Sequence, residues 1–401
     1  MEVKTRKEAI QWLVSSGNAE EAMKRTMDFV KDFGGNRIDF TSKVIELSQK
    51  AHNIVAAQSS NQEGRAEVQL GILKLIDEVE MTFDEAHSPR RAAEPVIILR
   101  GVGKEFKSNK FSLKPVNATF RRGEITGIVG PNANGKSTLM KIAVGELYAD
   151  SGKIDFPFFE KITPKPTWEN LKHLIAYVPQ ELPEWRGKLK NNLRYEAALH
   201  GFMGDENELE VNYIIERLGL SRYKDANWSQ LSGGYKLRFA LAKALVWKPS
   251  VLVLDEPLAN LDVNAQTLVL NDLKALAHSY MHPICILISS QHIHEIEVMA
   301  DNIIMLEDGV VKYMGKRQDF GSDNDFNIYE FACTVAPADL TRLVSTISGA
   351  ELRSHGYFYT LKTTRDVSSQ DVLHLIAQQT GNIEYFRDIS HSVKQFFLKA
   401  Y

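Results

Sequence analysis

The chain has 401 residues, of which 44% are hydrophobic and 25% charged, and a net charge of −3. That length predicts two or three domains with ample material for a packed core, and the near balance of charge excludes a global pull toward nucleic acid or anionic lipid. The two cysteines, Cys285 and Cys333, lie in apolar runs and read as small core residues, with no metal pattern or disulfide. No run approaches the roughly eighteen apolar residues of a membrane span, and Met1 to Glu8 lacks the apolar core of a secretory signal. A reducing cytoplasmic location is expected.

Residues 1–85 predict a bundle of three helices. One starts at Asn18-Ala-Glu-Glu21, a capping-box-like sequence ahead of Ala22, Met23, Phe29, Val30 and Phe33. A second is expected from Thr41 to Gln58. The third carries Val68, Ile72, Leu75, Ile76, Val79 and Phe83 at helical spacing. Such stripes bury only against one another, so the segment reads as an all-α unit. The polar stretch around residues 86–95 breaks every periodicity and reads as a linker, which predicts that the bundle folds independently and is dispensable for the chemistry that follows.

From residue 96 to 320 short apolar strands alternate with helices. Strands are expected at Val96–Leu99, Glu124–Val129, Leu174–Val178, Val251–Leu254, Ile284–Ser289 and Asn302–Glu307. Largely apolar strands are those of a parallel sheet covered on both faces. Residues 326–401 then show the order strand, helix, strand, strand, helix, strand, which is the ferredoxin-like α+β arrangement.

Three segments carry chemistry. Gly130-Pro-Asn-Ala-Asn-Gly-Lys-Ser-Thr138 lies between a strand and a helix. Its glycines let backbone N–H groups, including those around Asn132, Asn134 and Gly135, wrap a polyphosphate at a helix N-terminus. Lys136 is placed to reach the β- and γ-phosphates, Ser137 to offer its hydroxyl to Mg²⁺, and Thr138 to touch the α-phosphate. Val251-Leu-Val-Leu254 ends in Asp255-Glu256 at the C-terminal end of a buried strand, where ligands of open α/β sheets sit. Asp255 suits a Mg²⁺ ligand, direct or through water, and Glu256 a base that orients or deprotonates an attacking water. Leu231-Ser-Gly-Gly-Tyr235 opens a helix, so Ser232, Gly233 and Gly234 form an anion-binding turn.

In this order the three segments resemble the ATP-binding cassette (ABC) ATPases over about residues 96–315. The resemblance implies a P-loop α/β ATPase domain with a helical subdomain, acting on ATP with Mg²⁺. It implies that Gln180, in Tyr177-Val-Pro-Gln180, links Mg²⁺ to the helical subdomain, and that Asn260-Leu-Asp262 couples two subunits. It further implies that Phe106, with Phe111 as the other candidate, stacks on adenine. In the family the serine-glycine turn of one subunit completes the ATP site of another. A chain with one set is therefore expected to dimerise head to tail, with a second copy or a paralogous ATPase subunit.

Three positions depart from the family pattern. Ala133 stands where glycine is usual, and if that position needs a positive φ the alanine costs about 1 kcal/mol. Tyr235 replaces a common glutamine. A histidine normally contacts the γ-phosphate after the strand Ile284–Ser289; the matching position here is Gln291, and a one-residue shift would instead give the role to His292. Glutamine donates a hydrogen bond and carries no charge, so slow hydrolysis is expected.

The flanks carry weaker resemblances. The C-terminal unit, ending Ile389-Ser-His-Ser-Val-Lys-Gln-Phe-Phe-Leu398, resembles the extension after the ATPase domain of drug, lipid and polysaccharide exporters. The N-terminal bundle resembles the effector-associated adapter domains of bacterial conflict systems, which implies a protein partner of its own. The expected function is an ATPase subunit that powers a membrane permease in the export direction, peripheral on the inner face of the membrane. The alternative is a soluble regulatory ATPase recruited to a signalling or defence complex through the bundle. A nucleic-acid partner is not expected, because the chain has neither a second cassette nor a basic block.

Overall fold

The computed structural model describes residues 2–35, 37–56, 62–83, 93–106, 111–163, 167–259, 261–320, 325–347, 349–377 and 382–390. The chain packs as two compact units, one of residues 1–291 with 306–311 and one of residues 292–305 with 312–401.

The first unit begins with the helices Glu2–Ser15, Ala19–Phe33, Ile38–Ala56 and Gln62–Thr82. Asn18 caps the second, its side chain accepting from the Glu21 N–H at 3.3 Å, as the sequence led one to expect. Ile10, Met27, Phe29, Phe33, Val44 and Ile76 are among the residues that meet in a shared core. The expected three helices are thus four. Glu2–Ser15 escapes a periodicity search because only Ile10 and Val14 on it are buried, too few for an amphipathic stripe.

A three-stranded antiparallel sheet follows, with Pro95–Phe106 between Phe111–Arg121 and Ser151–Asp155. Only part of the first of these strands was expected. Phe111–Arg121 contains Pro115, which argues against a strand on sequence grounds. Ser151–Asp155 is short and has no buried residue.

Beside it, Ile175–Val178, Val251–Leu254, Cys285–Ser290 and Ile125–Val129 lie next to one another in that order, all parallel. Every residue of Ile125–Val129, Val251–Leu254 and Cys285–Ser290 is buried. Because the strands are parallel and nearly in register, their C-terminal ends fall on one edge. That edge brings the loop after Val129, the acidic pair after Leu254 and the Ser289-Ser290 end together.

The bundle is not set apart from the region that follows it. Arg217, at 1% exposure the largest wholly buried side chain among the described residues, ends the helix Gly204–Arg217. Its guanidinium forms two hydrogen bonds to Asp28 of the bundle, at 2.6 and 2.9 Å, and one to Asp272 of the helix Val263–Ala277, at 2.7 Å. Ser48 donates to Glu216 at 2.8 Å, and Lys31 donates to Glu210 at 2.7 Å. Phe33, Phe83 and Tyr280 add a ring cluster with centroids 5.2 to 6.1 Å apart. The linker expected over 86–95 lies outside the described residues up to Ala92.

In the second unit, Phe326–Cys333, Glu351–His355, Phe358–Thr364 and Ile383–Asp388 form an antiparallel sheet. Its spatial order, counted along the chain, is second, third, first, fourth. With the helices Pro337–Val344 and Ser369–Ala377 this is the expected ferredoxin-like topology. Tyr329, Phe331, Leu340, Leu361, Val372 and Ile376 make its core. The tail resemblance at residues 391–398 lies outside the described residues.

A buried cation with two carboxylate partners yields a direct test. Arg217→Ala leaves Asp28 and Asp272 without their shared counter-charge, and breaking a buried pair from one side costs about 3–5 kcal/mol. Chemical denaturation of the full chain is expected to show a loss of that order. A loss below about 1 kcal/mol, the size of an exposed ion pair, is the contrary result.

Candidate functional site

The loop 130–135 is built by close approach and by left-handed backbone. A Cβ at Gly130 would lie 2.1 Å from the Leu306 carbonyl oxygen, so no larger residue fits. Gly135 has φ +96 and sits against the Phe111 ring, 2.8 Å from where its Cβ would be. Ala133 adopts φ 62, the strained value that the glycine at this position in the family would adopt freely. Asn134 ties the loop down: its amide donates to the Asn132 carbonyl at 2.9 Å, and its side-chain oxygen accepts from the Asp308 N–H. Gly135 then caps the helix Lys136–Ala143 without a side-chain bond, leaving the first N–H groups of that helix directed at the loop.

These elements open onto a cavity of 910 Å³. Phe106, Asn132, Gly135, Lys136, Ser137, Thr138, Gln180 and Glu256 are among the residues that line it. Phe106 and Phe111 both face it, their ring centroids 6.2 Å apart, so the two aromatic candidates stand together at one site. Lys136 is buried at 4% exposure. Its ammonium donates to the Gly130 and Pro131 carbonyls at 2.8 and 3.1 Å and pairs with Glu256 at 3.0 Å.

The two adjacent acids are held in different ways. Glu256 has φ 45, a backbone twist that turns its side chain toward the loop. One of its oxygens accepts from Gln291 at 2.5 Å and from Gln180 at 3.4 Å. Asp255 is buried and accepts from the Ser289 hydroxyl at 2.7 Å and the Tyr177 hydroxyl at 3.1 Å. Ser289 also accepts from the Glu256 N–H at 2.8 Å, so one hydroxyl fixes both acids. Burial, and then the Asp255 carboxylate, raise the Tyr177 phenol well above its ordinary range, which keeps it a donor.

Ser289, Tyr177, Ser112 and Asp308 join this site although none was a candidate from sequence. Tyr177 lies three residues before Gln180, and only the strand pairing Tyr177↔Val253 shows its approach to Asp255. Ser289 is one of two serines that end an otherwise apolar strand. Ser232, Gly233, Gly234 and Asp262 do not line the cavity. Ser232 starts the helix Gly233–Leu245 but makes no side-chain cap, and it is exposed. Asp262 caps Val263–Ala277 by accepting from the Ala265 N–H at 2.9 Å; Asn260 lies outside the described residues.

The residues present fit a hard cation held against phosphates. Ser137 and Gln180 supply neutral oxygens in the cavity beside the Glu256 carboxylate; Asp255, one residue before Glu256, does not itself line it. Mg²⁺ is usually bound by one or two protein ligands together with phosphate oxygens and water.

The strain at Ala133 is open to measurement. Ala133→Gly removes a Cβ from a left-handed position, worth about 1 kcal/mol, and is expected to raise the unfolding midpoint while leaving nucleotide affinity intact. A lower midpoint would show that the methyl group packs more favourably than its backbone is strained.

Comparison with known proteins agrees with this geometry. A sequence family described as ABC transporter matches residues 113–259. The uncharacterized ABC transporter ATP-binding protein YdbJ of Bacillus subtilis is 30% identical over 220 residues, covering 55% of this chain and 69% of that protein. The spermidine/putrescine import ATP-binding protein PotA of Spiroplasma citri is 30% identical over 223 residues, which cover 55% of this chain and 61% of PotA. Among solved structures, cbiO1 of Clostridium perfringens, part of the ABC transporter complex cbiONQ, superposes with a TM-score of 0.50 at 27% identity. That match covers 56% of this chain and 89% of cbiO1. The loop that cradles phosphate, the acidic strand end and this likeness lead to one conclusion: the chain belongs to the ABC transporter ATP-binding proteins, enzymes that bind and hydrolyse ATP.

Proposed function

We propose that two such chains, or this chain and a paralogous subunit, close head to tail over two ATP molecules and thereby drive a membrane permease. The observation that carries this reading is the division of the family's motifs. The phosphate loop, Gln180 and Glu256 share one cavity, whereas Ser232 at the start of its helix is exposed, with its hydroxyl unused as a cap. An exposed serine-glycine helix start is a ready anion site, suited to the γ-phosphate held by a partner subunit.

In the proposed hydrolysis, backbone N–H groups of the loop and the Lys136 ammonium hold the β- and γ-phosphates, and Phe106 or Phe111 stacks on the adenine. Ser137, Gln180 and Asp255 would hold Mg²⁺, which screens phosphate charge when bound. Glu256 accepts a proton from the attacking water as the bond to the γ-phosphorus forms and the bond to the departing ADP oxygen breaks. Gln291, already 2.5 Å from Glu256, holds that carboxylate toward the phosphate. Asp262 serves the contact between subunits.

Export is the direction we propose, on the ferredoxin-like domain that follows the ATPase region and resembles the extension of exporters. Import is the activity named for PotA and for the phosphonates import ATP-binding protein PhnC of Lactiplantibacillus plantarum, 29% identical over 222 residues. ATP-driven uptake, rather than extrusion, by vesicles carrying the chain and its permease would reverse the direction. Among the described residues no helix is long and apolar enough to cross a membrane, so the membrane path belongs to the permease and the chain sits peripherally.

Two substitutions test the nucleotide chemistry. Lys136→Ala removes the cation and donor at the phosphates and is expected to abolish binding of labelled ATP; undiminished binding would remove the lysine from the site. Glu256→Gln is expected to keep binding and to lower turnover by about a hundredfold or more. It should also trap an ATP-bound dimer visible by size-exclusion chromatography. Persistent turnover moves the base elsewhere, and a monomer that binds ATP without associating defeats the head-to-tail reading.

A further inference from the structure

We propose that a second cavity, between the N-terminal bundle and the ATPase helices, is a binding site for a small monocarboxylate with an apolar body. The cavity measures 280 Å³, close to the lower end of small-ligand sites. Phe158, Ile214, Leu245, Val246, Leu276 and Ile284 give it apolar walls, and Ile162, 55% exposed, stands at its rim. None of these residues lines the nucleotide cavity.

Its lining carries three acids, Asp28, Asp32 and Glu210, and three strong bases, Lys31, Arg122 and Lys248, but their pairing is uneven. Lys31 of the bundle and Lys248, which follows the helix Gly233–Leu245, both donate to the same Glu210 oxygen, at 2.7 and 2.9 Å. One carboxylate thus serves two ammonium groups with three donors each. The other acids on the wall are committed elsewhere: Asp28 to Arg217, and Asp32 to Arg6 and Ser279, each at 2.6 Å. Arg122 and His282 also line the cavity. The Arg122 guanidinium lies 4.6 Å from the Phe158 ring centre, with its Nε donating to the Pro283 carbonyl.

Burial pulls the Lys31 ammonium below its ordinary range; Glu210 opposes that fall, Lys248 adds to it, and Glu206 opposes it more weakly. Burial, then Lys248, Lys31 and Arg122, lower His282. At Glu210 burial acts to raise the carboxyl, but the two lysines outweigh it and hold it ionised. One further negative charge is the complement of two lysines around one glutamate, and the apolar walls require that its carrier be hydrocarbon. A doubly charged phosphate exceeds the charge available and leaves the walls unfilled. A bound carboxylate would touch Lys31 of the bundle and Lys248 of the ATPase region together, so its occupancy would stabilise their union.

Octanoate and its neutral analogue octanamide serve as probes, titrated calorimetrically into the full chain. Octanoate is expected to bind about tenfold or more tighter than octanamide. Lys248→Met and Lys31→Met are expected to weaken octanoate by about the same factor. Glu210→Gln, which removes the competing carboxylate, is expected to tighten it. Circular dichroism and an unchanged ATP affinity confirm that each variant is folded. Should a lysine variant unfold, Glu210→Gln alone decides through its gain in affinity. Equal binding of octanoate and octanamide overturns the proposal, as does absence of octanoate binding at millimolar concentration. Preference for inorganic phosphate, or a folded Glu210→Gln variant with no gain, overturns it as well.

Discussion

A guanidinium that is 1% exposed dictates the arrangement of the first unit. Arg217 cannot remain ionised at that depth without partners, and the carboxylates that satisfy it come from two separate helices, Asp28 from the bundle and Asp272 from the helix after the acidic strand. Three helices are thereby fixed to one another by one side chain. The apolar contacts around it, with Tyr213 buried in the bundle's own core cluster, follow from that placement. An independent bundle on a tether would leave Arg217 with Asp272 alone.

The nucleotide site divides labour between neighbouring acids by the company each keeps. Asp255 receives two hydroxyl donors, Ser289 and Tyr177. Glu256, one residue on, faces an ammonium and two amides, Lys136, Gln291 and Gln180. Pairs of carboxylates placed in contrasting surroundings commonly take different roles in one reaction. The twist at Glu256, φ 45, contributes to this separation by turning it away from the direction a regular strand would impose.

How much of this could be read from the chain depends on whether the signal was local. Val251–Leu254 and Ile125–Val129 announce themselves as apolar runs, and the loop between Gly130 and Thr138 contains its own phosphate chemistry. The βαββαβ order of the last unit was legible because each element carries its own period. Ser289 and Tyr177 were not legible, since each is a polar residue within a largely apolar strand. Their meaning arises only when parallel pairing sets them beside Asp255. Arg217 reads from sequence as an ordinary basic residue near a helix C-terminus, where a cation favours the dipole. Its burial depends on an aspartate 189 residues away, which no local pattern reports. Pro115 hid a strand for the opposite reason, a local rule overridden by the sheet around it.

The helix Val263–Ala277 has Asp262 at its start and Asp272 ten positions further on. At 1.5 Å per residue these lie about 15 Å apart on a single stiff rod. One end follows the acidic strand directly, and the other is clamped through Arg217 to the bundle. Val269, Leu270, Leu273 and Ala277 are buried along the rod as well, so the Asp262 cap and the Arg217 pair share one continuous, packed helix that fixes their separation.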